Sequence, residues 1–115
     1  MDNIIKLYEY IKSHHSTKYI SATCEQNEIS IVFHRELTIK IVFSNYYYMY
    51  VNDIFYYDID EQDIVSLIDD IFIGSYVFYK IKSISGYKIK LISVARFCGD
   101  DNNIISAWTI NETIK

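Results

Sequence analysis

The chain has no proline and only three glycines, Gly74, Gly86 and Gly99, each far from the others. A phosphate-cradling loop needs clustered glycines so that backbone amides can wrap the anion, and nucleotide binding by the common glycine-rich loops is therefore excluded. Cysteine is as sparse. Cys24 and Cys98 belong to no CxxC pair and no Cys/His ligand spacing, and they read as small core residues in a reducing compartment. No apolar run approaches the roughly 20 residues that span a bilayer; Ile71-Phe72-Ile73 is typical. The N-terminus, Met1-Asp2-Asn3-Ile4-Ile5-Lys6, has an acid where a secretory signal would carry bases, so the expected location is cytoplasmic, without membrane association. Bases are missing from a long interior stretch, with no Lys or Arg between Lys40 and Lys80.

Half of the 115 residues are hydrophobic, 23% are charged, and the net charge is −4. That balance is globular rather than disordered, and the length suits one domain, residues 1–115, around one core. Isoleucine, asparagine, lysine and tyrosine are abundant in the manner of AT-rich coding, so a single tyrosine is weak evidence of selection.

Hydrophobic periodicity supplies the fold class. Asp2 can cap a first helix in which Ile4, Leu7, Tyr8 and Ile11 recur at helical spacing until Ser13-His14-His15-Ser16. From Lys18 the period becomes two. Ile20, Ala22 and Cys24, then Ile29, Ile31 and Phe33, read as a hairpin, and Leu37, Ile39, Ile41 and Phe43 as a half-buried strand. Tyr46 to Val51 and Ile54 to Ile59 follow as aromatic and β-branched strands. At Asp60 the period returns to 3.6, with Ile64, Leu67, Ile68, Ile71 and Phe72 on one stripe and Gly74 in the C′ position. Tyr76 to Ser83 and Tyr87 to Phe97 form a second hairpin about Ser85-Gly86, and the apolar tail from Ile104 to Ile110 docks as a strand or a helical turn. The predicted fold is α+β, a mainly antiparallel sheet of about six strands with two helices, in the order α-β-β-β-β-(β)-α-β-β.

None of the chemistry-bearing residues forms a catalytic, cofactor-binding or metal-binding pattern. His14 and His15 are adjacent on a helix, so their rings diverge by about 100° and do not share a metal as an i, i+4 pair would. His34 lies in a turn with Arg35 and Glu36 and has no nucleophile motif beside it. Asp100 and Asp101 lack the ligand series of a calcium loop. Lys80, Lys82, Lys88, Lys90 and Arg96 make the second hairpin basic, which suits either a solvated, edge-protecting face or contact with a nucleic-acid backbone. The net negative charge makes the latter an unlikely partner.

The base-free interval is the marked asymmetry. It holds Asp53, Asp58, Asp60, Glu61, Asp63, Asp69 and Asp70, hence −7 against +3 for the remainder, and eight of the twelve tyrosines. Acids at the start of a helix are favoured by its dipole, but Asp69 and Asp70 oppose the carbonyl end of theirs, and an unfavourable local choice is a functional hint. Tyrosine buries a large, rigid area at interfaces, and acidic surroundings steer a basic partner. The expected partner-binding residues are Asp58, Asp60, Glu61, Asp69, Asp70, Tyr56 and Tyr57.

The chain's size, its antiparallel strands followed by the stretch from Asp60 to Ile71, and the re-entry into a strand at Gly74-Ser75-Tyr76 resemble the small acidic immunity proteins of bacterial toxin systems. That resemblance implies a non-catalytic inhibitor that binds a basic toxin or nuclease. Alternatives are a phage-encoded inhibitor of a host defence nuclease, a small enzyme using His34 with a carboxylate, and nucleic-acid binding through the lysine hairpin. Homodimerisation along an exposed edge at Tyr46–Tyr50 is compatible with each.

Overall fold

The computed structural model describes residues 2–110, apart from the side chains of Asp2, Phe55, Tyr56 and Tyr57. Among the described residues it is an antiparallel α+β fold of two helices and eight strands. The predicted class and the order of all nine predicted elements hold. The strands number eight rather than about six, however, and they are shared between two sheets. The chain divides into two compact units, Met1–Ile68 and Asp69–Lys115.

The first unit opens with helix α1 (Asp2–His15), which includes Asp2 itself and runs past the expected break at Ser13. Five strands follow, β1 (Ser21–Glu25), β2 (Glu28–Val32), β3 (Thr38–Ser44), β4 (Tyr46–Val51) and β5 (Ile54–Ile59), in a sheet of order β1-β2-β3-β4-β5. Each strand pairs with its successor in sequence, so the sheet is a simple meander. Register decides which residues share a face. Ile29 pairs with Ile41 and Ile31 with Ile39, while Ile39 pairs with Val51 and Ile41 with Met49. All six are buried on one face, which α1 covers over β1 to β3 with buried Ile4, Leu7 and Ile11. Each such side chain contributes about 1.5–3 kcal/mol of transfer free energy.

The turns at one end of this sheet use residues other than glycine at positive φ. Arg35 and Glu36 both lie near +61°, in the loop joining β2 to β3, and Asn52 (+49°) and Asp53 (+67°) form the two-residue turn between β4 and β5. Both central residues positive is the type I′ geometry, whose twist matches that of the flanking strands.

Helix α2 (Glu61–Phe72) begins directly after Asp60, whose carbonyl accepts the Asp63 amide at 3.0 Å. It ends in a Schellman arrangement around Gly74, at φ +91°. The Ser75 amide donates to the Asp70 carbonyl at 2.9 Å and the Gly74 amide to that of Ile71 at 3.3 Å, which satisfies two carbonyls the helix would otherwise leave unpaired.

In the second unit β6 (Tyr76–Ser83) lies between β7 (Gly86–Ser93) and β8 (Ile104–Trp108). The tail is thus a strand rather than a helical turn, and a single 3-10 turn, Val94–Arg96, follows β7 where the sequence pattern suggested that the strand continued to Phe97. Phe78 pairs with both Leu91 and Trp108, and its ring stacks 6.3 Å from the indole in the buried face of this sheet. Both cysteines are free; Cys24 is half-buried and Cys98 exposed, so neither is the core residue expected. A cysteine's preference for burial is overridden where a strand edge or loop has nothing to cover it.

Candidate interaction surface

Each side chain of the five-stranded sheet that alternates with the core points to the opposite face, and none of the described ones is buried. On β4 that face carries Tyr46, Tyr48 and Tyr50, while Tyr47, Met49 and Val51 face the core. Tyr47 is only 2% exposed, and its ring packs at a tilt against that of Phe43, 4.8 Å between centroids. Burial pushes its phenol pKa above the ordinary value, with the Glu61 carboxylate adding to the rise.

Across the strands the outer face forms rows. One runs Glu25, Glu28, Val42, Tyr48, Asp58, and the next runs Thr23, Ser30, Lys40, Tyr50. Glu25 and Glu28 are direct partners across the β1–β2 hairpin, and like charges in that position destabilise a sheet. The base in the second row, Lys40, is held by Asp53 at 3.1 Å. The hydrogen bond and charge of Asp53, then the charge of Glu28, raise the Lys40 pKa against a small opposing effect of desolvation.

Of the residues expected to bind a partner, Asp58, Asp60 and Glu61 are exposed and follow closely along the first unit, from the end of β5 into the first turn of α2, with buried Ile59 between the first two. Asp69 and Asp70 are half-buried and belong to the second unit. The last turn of α2 contains no base. The Tyr56 and Tyr57 side chains lie outside the described residues. The sequence did not single out Tyr46, Tyr48 and Glu28 as one surface, because only the register of β2 through β5 brings them together.

The lysine hairpin is not one basic face. Lys80 pairs with Ile89 and Lys82 with Tyr87, whereas Lys88 pairs with Ile81 and Lys90 with Tyr79. Alternation therefore sends Lys80 and Lys82 to the Phe78 face and Lys88 and Lys90 to the other. The Lys80 ammonium sits 5.1 Å above the Tyr87 ring, a placement that cation–π attraction explains without a ligand.

His14 stacks on Tyr10 at 4.1 Å, and its Nδ1 lies 3.1 Å from the Tyr10 carbonyl, within the helix's own last turn. His34 is exposed in the β2–β3 loop. Among the described residues no three His, Cys, Asp or Glu side chains gather as metal ligands, and no helix is long and apolar enough to cross a membrane. A shallow groove of about 660 Å³ lies between α1 and β1, lined by Ile5, Tyr8, Glu9, Lys12, Ser13 and Cys24.

Homodimerisation by edge pairing along Tyr46–Tyr50 is overturned. β4 is an inner strand whose two edges are hydrogen-bonded to β3 and β5. The true edges each carry a device that discourages pairing. β1 has only five residues, and the Tyr8 hydroxyl donates to its Ala22 carbonyl at 3.1 Å. The β4–β5 register shifts at Met49/Tyr50, β7 carries Lys88 and Lys90, and β8 bulges at Ile105 where the partners of Lys80 and Ile81 skip a residue. Comparison with protein-family models, with characterised proteins and with solved structures finds no match to this chain.

Proposed function

We propose that this protein is a non-catalytic inhibitor of the immunity type, which acts in the cytoplasm by binding a basic toxin or nuclease through an acidic, tyrosine-rich surface. The observation that carries the reading is the outward file of Tyr46, Tyr48 and Tyr50 with Asp58 paired directly to Tyr48, followed along the chain by the exposed acids Asp60, Glu61 and Asp63. A surface of this kind combines long-range attraction for a cationic partner with rigid aromatic area at the point of contact. Acids at the first turn of α2 are also favoured by the helix dipole, but Asp58 lies on a strand and gains nothing from it. Asp58, Asp60 and Glu61 make the contact in the first unit, with Asp69 and Asp70 as candidate contacts in the second.

The test is protection in cells. The product of the neighbouring reading frame is expressed in a heterologous host with and without this chain, and the reading requires that growth be lost without it and restored with it. The triple charge reversal Asp58→Lys, Asp60→Lys, Glu61→Lys should abolish the rescue while leaving the protein folded. Full rescue by that variant would remove the proposed surface, and a harmless neighbour would remove the proposed function.

A further inference from the structure

We infer that the outer face of the five-stranded sheet docks a basic segment of a protein partner, laid across the strands along the row Glu28, Val42, Tyr48, Asp58, with a cation at each end and an apolar side chain between. The inference rests on the inhibitor reading above and adds to it the place of contact and the chemistry of what is bound.

Three features point to that occupant. The face is open to solvent at its described positions: on β2, β3 and β4 no side chain on this side is buried, whereas on the opposite side all but Phe43 are. Its centre is apolar and aromatic, with Val42 and Tyr48 directly paired and Tyr46 half exposed. Its row ends are acidic, and the Glu25–Glu28 pairing retains a repulsion that either residue's replacement by a neutral one would relieve. Such a pair is relieved equally by a cation brought from outside.

The positive charge within the face is answered chiefly by Asp53 and only secondarily by Glu28. Lys40 is bonded to Asp53 at 3.1 Å and lies in the adjoining row.

Geometry narrows the ligand. With strands about 4.8 Å apart, Glu28 on β2 and Asp58 on β5 stand roughly 14 Å from each other. An extended segment covers that distance in about four residues and a helix in about nine. Tyr48 between them offers a ring over which a cation or an aliphatic side chain can lie.

The probe is a blocked five-residue peptide with lysine at each end and leucine, alanine and leucine between. It is titrated to millimolar concentration into the isotope-labelled full chain, with amide shifts as the readout. The expected result is a set of shifts confined to β2 through β5, weakening as salt is added. Glu28→Lys and Asp58→Lys should each reduce the affinity about fivefold, and Asp100→Lys, at an exposed acid of the second unit, should leave it unchanged. Tyr48→Ala should weaken binding with the spectrum otherwise intact.

Absence of shifts at saturating peptide, shifts centred on α1 or the second unit, or an affinity indifferent to Glu28→Lys would each overturn the proposal. So would a sedimentation profile in which the same face is already occupied by a second copy of the chain. The peptide experiment involves no toxin, so a positive result beside failed protection in cells would retain the docking face and remove only the inhibitor reading.

Discussion

Asn52 reaches across the end of the five-stranded sheet to Glu36, its Nδ2 donating to the Glu36 carbonyl at 2.9 Å while its Oδ1 accepts the Thr38 amide at 2.7 Å. The turn between β4 and β5 is thereby tied to the loop between β2 and β3. Both contain non-glycine residues at positive φ, conformations that cost about 1–2 kcal/mol for most side chains but less for asparagine. Replacement of Asn52 by alanine removes two hydrogen bonds, each worth about 0.5–1.5 kcal/mol, and places a poorer residue at φ +49°. Urea unfolding should show a loss of about 2–3 kcal/mol. Asn52→Gly keeps the backbone geometry and should lose only the hydrogen-bond part, so the difference between the two variants isolates the conformational cost.

Much of the fold is legible in the periodicities, and what is not has definite causes. The stripe of Ile64, Leu67, Ile68, Ile71 and Phe72 and the alternation of Ile39 and Ile41 survive intact because burial is what produced them. β4 is different. Tyrosine stands at four of its six positions, so composition does not reveal that Tyr47 is core while Tyr46, Tyr48 and Tyr50 face out. Pairing with β3 decides it. The same holds for the lysines of β6 and β7, which are neighbours in sequence yet are divided between two faces by alternation and register. The bulge at Ile105 and the interior position of β4, which together decide where the chain offers an edge, have no local signature at all.

Two glycines test backbone strain in different ways. Gly74 occupies the left-handed position of the Schellman turn at φ +91°, and Gly86 closes the β6–β7 hairpin at φ +123° with nothing within 4 Å of an added Cβ. Gly86→Ala should therefore destabilise through the backbone alone, without steric collision. A loss of about 1–2 kcal/mol is expected for Gly74→Ala, read as a lower urea midpoint. An unchanged midpoint would show that the helix end relaxes to another cap.

Tyr47 sets an alkaline limit on stability. Burial, and then the carboxylate of Glu61, raise its pKa in the folded chain above the ordinary value of 10.0. A group whose folded pKa is raised contributes stability that is fully present below its unfolded pKa and lost as the pH climbs through the folded one. Stability should hold up to about pH 10 and then fall. Tyr47→Phe has no proton to lose, so its urea midpoint should decline less steeply above pH 10 than that of the native chain. Equal slopes would mean that Tyr47 ionises without cost.

Asp53 connects the sheet end to the docking face, and one substitution separates its two effects. Its pair with Lys40 is exposed, the two side chains retaining 36% and 81% of their accessible surface, and exposed pairs add little to stability because water and salt screen them. Asparagine tolerates the left-handed conformation that Asp53 adopts at φ +67°, so Asp53→Asn removes the charge without straining the turn. The urea midpoint should stay where it is, with or without added salt. The Lys40 ammonium, raised chiefly by Asp53, should titrate closer to an ordinary lysine in the variant. Freed of its counter-ion, it becomes a cation facing the same side as Tyr48 and Tyr50, and the basic peptide should bind more weakly, by about two- to fivefold at low salt and less as salt is added. A fall in stability with peptide affinity intact would reverse the assignment, making Lys40–Asp53 a structural pair with no bearing on what the sheet face binds.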